Sequence, residues 1–148
     1  MSLYCLKCKK WAYKTHKCNI NSLISITKNI LPTVLKVDSL GLQVASAFCL
    51  AETHKTPYKH TLIEAGVYFK CLYPEMLLQD LPSGWYWTDY ITLEHKAICS
   101  SIVYNAEYVD TGAMSLDKTV EGVINDLLDY LDTKDKNGLR AIMLLSDS

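Results

Sequence analysis

The chain has 148 residues, 49% of them hydrophobic, which is the size and apolar content of one ordinary domain with a real core. A formal charge of -1 gives no global attraction to nucleic acid or membrane, and Arg140 is the only arginine, so the planar fork that reads guanine and phosphate is nearly absent. No secretion signal and no apolar run of membrane-spanning length are present, so a soluble, cytoplasmic protein without membrane contact is expected, with its six cysteines in a reducing compartment.

The first eighteen residues carry the sharpest signal. Two residues separate Cys5 from Cys8, one separates His16 from Cys18, and a seven-residue loop joins the pairs. Four soft or borderline donors at that spacing can occupy the corners of a tetrahedron, so Cys5, Cys8, His16 and Cys18 are expected to bind a structural Zn2+. A redox pair or plain thiols at Cys5 and Cys8 is the alternative, but no thioredoxin-like strand and helix surround them. The loop is basic and aromatic: Lys7, Lys9, Lys10, Lys14 and Lys17 interleave with Trp11 and Tyr13, and residues 1–37 hold seven lysines and no acid.

Beyond Asn19, apolar residues from Ile20 to Leu35 recur at three- and four-residue intervals, which predicts a short helix over 21–28 and a second from Pro32 to Gly41. Leu42 to Leu50 reads as a buried strand, 52–60 as a polar loop around Pro57, and Ile63 to Leu72 as a second strand. Tyr73-Pro74-Glu75 opens a short helix that Pro82-Ser83-Gly84 closes. Trp85 to Tyr90 is an aromatic strand whose two faces must diverge, and Ile91 to Asn105 supplies one or two strands with a turn near Lys96.

The last long element is a helix capped by Ser115, with Leu116, Val120, Val123, Ile124, Leu127, Leu128 and Leu131 on one face. Its other face carries Asp117, Glu121, Asp126, Asp129 and Asp132, which reads as solvated surface rather than a metal site. Asn137-Gly138 signals a turn, and Leu139 to Leu145 reads as a final strand in preference to a helical turn. The expected architecture is α+β: a mixed or antiparallel sheet of three to five strands with packed helices, residues 1–19 forming a zinc knuckle integrated with a domain over 20–148.

Cys-x-x-Cys, His-x-Cys-Asn, a helix ending in Leu-Gly, a strand ending near Cys49 and Leu-Pro-x-Gly before aromatics together resemble small phage-encoded proteins with an N-terminal zinc knuckle and a compact α/β domain. The resemblance spans about residues 5–90, and only the Cys/His spacing transfers as a site. It implies a non-enzymatic protein in the host cytoplasm that binds and modulates a host factor, such as a component of host defence, or sequesters a small nucleotide. Exposed Trp and Tyr suit such binding, and Trp85 and Trp87 are the candidate anchors, with a homodimer through the same strand as a further candidate. The second reading is nucleic-acid binding by Lys9, Lys10, Trp11 and Tyr13, lysines on phosphates and an aromatic on a base. An enzyme would have to gather Cys49, His54, His60 and His95 with Glu52 or Glu94, and the chain carries no Walker loop, dinucleotide fingerprint, His-Glu-x-x-His or Gly-x-Ser-x-Gly. Cys49, Cys71 and Cys99 lie in apolar runs where core packing is the ordinary role of cysteine.

Overall fold

The computed structural model describes residues 1–13, 16, 18, 22–109 and 116–146, with the backbone alone at 116–118 and 146. Lys14, Lys17, Asn19, the expected helix start at Asn21 and the expected cap Ser115 lie outside these residues. Seven strands form one mixed sheet: β1 (Ser2–Cys5), β2 (Lys10–Trp11), β3 (Leu23–Ile26), β4 (Val44–His54), β5 (His60–Phe69), β6 (Trp85–Ile91) and β7 (Ile98–Val109), in the order β2-β1-β3-β4-β5-β7-β6. Three helices complete the α+β fold, α1 (Leu31–Ser39), α2 (Leu116–Asp132) and α3 (Lys136–Ser146). The sheet is larger than the expected three to five strands.

Three of the seven strands, β1, β2 and β3, come from the N-terminal third. Leu23–Ile26 is a strand and not the start of a helix, because β1 pairs with it antiparallel on one side (Tyr4↔Ile24) and β4 pairs parallel on the other (Ile26↔Ala47). Ile24 and Ile26 are fully buried at a period of two, a pattern that the three- and four-residue spacing over 20–35 conceals. The parallel β3–β4 pair needs a crossover, and α1 supplies it. Pro32 stands in its first turn, where its missing N–H costs nothing, and Gly41 ends it at φ 87 with its N–H donating to Asp38 O at 3.0 Å.

β4 runs past the expected loop start to His54 because β5 pairs with it continuously from Phe48↔Gly66 to His54↔His60. The last segment is a helix rather than a strand. Asp135 Oδ2 accepts the Gly138 N–H at 3.0 Å, and Leu139 N–H donates to Asp135 O at 3.0 Å, so the Asn137-Gly138 signal falls in the first turn of a capped helix.

Strand parity decides which face holds the core. Ala47 and Cys49 of β4, Ile63, Ala65, Val67 and Phe69 of β5, and Ile102 and Tyr104 of β7 share one face. They bury against Val34 and Val37 of α1, Val123, Ile124, Leu127 and Leu131 of α2, and Leu139 of α3. Trp85 and Trp87 point to this same face. On the opposite face, which carries no helix among the described residues, stand Phe48 and Leu50, Glu64 and Tyr68, Val103 and Asn105, and Tyr86 and Tyr90.

Candidate metal centre and its surroundings

The N-terminal hairpin brings the expected ligands together. β1 ends at Cys5, and the chain turns through Leu6 and Lys7 to Cys8 and returns in β2 with Cys5↔Lys10 and Tyr4↔Trp11 paired. Lys9 N–H donates to Cys5 O at 2.9 Å and Cys8 N–H to Cys5 Sγ at 3.4 Å. The turn needs a left-handed residue after the second cysteine, and Lys9 takes it at φ 56. Its side chain pairs with Asp38 of α1 at 3.0 Å and so ties the hairpin to the crossover helix.

The ligand atoms of Cys5, Cys8, His16 and Cys18 all lie within 4.8 Å of one another, and this Cys3His cluster could hold a metal ion. Metal–sulfur bonds of about 2.3 Å in a tetrahedron set sulfur–sulfur edges of about 3.8 Å, which falls within the span of the cluster. Cys8 Sγ and Cys18 Sγ are 3.0 Å apart, too far for a disulfide, and all six cysteines are free thiols. His16 Nε2 is buried without a hydrogen-bond partner, a cost that donating its lone pair to a cation removes.

Electrostatics within the cluster are divided. Burial pushes the Cys5 thiol up, but the Cys8 N–H and contacts from His16, Cys18 and Cys8 outweigh it and bring Cys5 down to about 6. The side chain of Cys8, with burial and the charge on Cys5, pushes Cys18 up to about 11. Three thiolates at this spacing repel one another, and a bound cation is what allows all three to be anionic.

The aromatic and basic residues of the hairpin are only partly available. Trp11 packs edge-on against Tyr4 with ring centroids 5.1 Å apart, and Lys28 Nζ sits 6.0 Å from its ring centroid. Tyr13 is 79% exposed and Lys10 is exposed, whereas Lys9 is engaged by Asp38. Trp11, Tyr13, His16 and Lys28 help line a cavity of about 470 Å3 beside the cluster. In β6, Trp85 is only 6% exposed, and the indole N–H of Trp87 donates to Leu78 O at 2.9 Å. Tyr86 therefore faces outward where the tryptophans do not.

Of the residues an enzyme would have to gather, Glu52, His54 and His60 come together on one face, while Cys49 lies on the other face and His95 on a separate turn. Cys49 is buried on the helix-covered face, where burial pushes its thiol up to about 11 and keeps it neutral. His54 is on the opposite face by strand parity, its ring stacked on His60 at 5.2 Å and its Nε2 3.6 Å from Glu52 Oε1. His95 stands with Glu94 on an exposed turn, 3.9 Å apart. The Thr27 hydroxyl donates to Asn29 and accepts the Cys49 N–H. Sequence reasoning missed the free outer edge of β6 and the orphaned Trp85 indole, since strand order and burial are not local properties. No protein-family model, curated protein or solved structure matches this chain.

Proposed function

We propose that the protein is a non-enzymatic interaction module, stapled by a structural zinc ion, that binds and modulates another protein. In the phage-type reading, which rests on its short sequence motifs, the partner is a host factor such as a component of host defence, encountered in the host cytoplasm. The observation that carries the proposal is the sheet face on which no helix packs among the described residues. Phe48 stacks on Tyr68 at 5.9 Å, Tyr68 meets Tyr90 edge-on at 5.1 Å, and Leu50 and Tyr86 beside them are 52% and 47% exposed. A continuous aromatic and aliphatic surface of this kind is characteristic of recognition. The four-ligand zinc site supports the same reading, because it has no open position for water or substrate.

Glu52, Glu64 and Glu107 lie on the same face by register, which disfavours phosphate-bearing ligands there and weighs against nucleotide sequestration by this surface. Affinity capture from host lysate is expected to retain a specific protein, and Phe48→Ala with Tyr86→Ala is expected to release it. Capture that retains no protein, or a partner indifferent to both substitutions, would overturn the assignment.

The cavity beside the cluster favours a second reading, in which Tyr13, Lys10 and Lys28 hold a single-stranded oligonucleotide. Binding should then weaken steeply between low and physiological salt. Absence of binding at low salt removes this reading.

A further inference from the structure

We propose that the outer edge of β6 is a docking site for an extended, basic segment of a partner polypeptide, which adds to the sheet as an eighth strand. The inference rests on the protein-interaction reading above and names the partner chemistry and the contact mode. Among the described residues β6 has a neighbour on one side only, β7. The Trp85 N–H donates to Pro82 O at 3.0 Å rather than across the sheet, and Thr92 N–H donates to Ala97 O at 2.9 Å on the β7 side. Antiparallel pairing alternates residue by residue, so the N–H and C=O groups of Trp87, Asp89 and Ile91 face the free edge. Such a row is a template for strand addition unless it is blocked, and neither proline nor a bulge interrupts Trp85–Ile91.

A pocket adjoins this edge. The segment 75–81 and the start of β6 enclose about 660 Å3 lined by Leu78, Leu81, Trp85 and Trp87, with Glu75 and Asp80 also on the wall. Trp85 lines this cavity, and its indole N–H is buried in the fold without an acceptor. A strand running past this end of β6 lies beside the cavity that Trp85, Tyr86 and Trp87 line. At the other end, Ile91 and its β7 partner Ile98 are 64% and 57% exposed and offer apolar contact.

Charge selects among occupants. Glu75, Asp80 and Asp89 mark the edge and its cavity, while among the described residues no lysine or arginine lines the cavity or stands on Trp85–Ile91. Two copies joined β6 to β6 around Asp89 would set like charges opposite each other, which destabilises the pair. A foreign strand with lysine or arginine beside alternate apolar residues meets the same acids favourably.

The test uses the full chain and a seven-residue peptide alternating lysine and valine, with two controls: the same peptide N-methylated along one edge, and its glutamate–valine counterpart. Amide hydrogen exchange is followed by NMR. At nine-tenths saturation with the lysine peptide, exchange at Trp87, Asp89 and Ile91 is expected to slow about tenfold, because only the free tenth exchanges. The Trp85 indole N–H resonance should shift with it, and neither control should reproduce the effect. Asp89→Pro removes one outward N–H at a position where edge strands tolerate proline, and it should abolish protection with the fold intact. Asp80→Asn with Asp89→Asn provides a second variant that leaves the backbone unchanged, and it should weaken lysine-peptide binding.

No protection, equal protection by the N-methylated peptide, or protection that rises with protein concentration in the absence of peptide would each overturn the proposal, the last by showing a second copy on the edge. A lysate partner still captured by a folded Asp89→Pro protein would overturn the edge site while leaving the interaction function standing. Failure of capture by the wild-type chain strikes the function instead.

Discussion

Single residues in this protein carry constraints of opposite sign at the same residue type. Gly84 sits at φ 88, and a Cβ there would lie 2.5 Å from Tyr104 Cε2, against a ring packed on Trp85 at 5.6 Å. Gly122 lies in α2, and a Cβ there would meet nothing within 4 Å. Gly84→Ala is therefore expected to destabilise by about 2–4 kcal/mol through backbone strain and overpacking. Gly122→Ala should stabilise by about 0.5–1 kcal/mol through lower unfolded-state entropy. Urea denaturation of the two variants decides both, and a stabilising Gly84→Ala would refute the left-handed turn before β6. Lys9 shows the same left-handed requirement met by a residue that sterics disfavour, in a position where its ammonium reaches Asp38.

At the scale of elements, the N-terminal hairpin is the weakest member of the sheet by size, with two residues in β2 and four in β1. Tyr4, 3% exposed, anchors it to the core, and β1 pairs along all four of its residues with β3. A metal ion held by the Cys3His cluster would tie down the rest, because binding that requires the folded geometry contributes directly to folding. Purified protein is expected to contain about one zinc per chain by elemental analysis, falling well below that in Cys5→Ser. Chelation should remove hydrogen-exchange protection at Cys5 and Trp11 first while β5 and β7 keep theirs. Zinc content unchanged by Cys5→Ser would contradict the assignment.

For the whole molecule, the perturbed groups outside the cluster share one direction. Burial pushes Cys49 from 9.0 to about 11. Burial, aided by Cys71, pushes Tyr73 to about 12, and burial with Cys99 and other neighbours does the same for Tyr90. Burial with the charge on Asp80 pushes Tyr130 to about 12. Each group is held neutral in the fold more firmly than in the unfolded chain. Their contribution to stability is complete below pH about 9 and is lost as pH climbs through 9 to 12. The melting temperature should therefore fall reversibly across that window, and Cys49→Ala should remove part of the fall between pH about 9 and 11. A melting temperature that rises there would refute the burial of these groups.

What the sequence determined by itself is what neighbouring residues decide. The Cys/His spacing identified a cluster that the fold assembles, Pro32 and Gly41 bounded α1, the aromatic run became β6, and the stripe from Val123 to Leu131 became the buried face of α2. Ligand spacing, capping and periodicity are local, so they survive without knowledge of the rest of the chain. Tertiary structure alone decided that Leu23–Ile26 is a strand, since β1 and β4 satisfy its backbone on both sides, and that β4 reaches His54 along β5. It decided too that Trp85 and Trp87 turn toward the helices while Tyr86 and Tyr90 share the open face with Phe48 and Tyr68. Those outcomes depend on which strands meet, and a strand's hydrogen-bonding partner can stand tens of residues away in the chain.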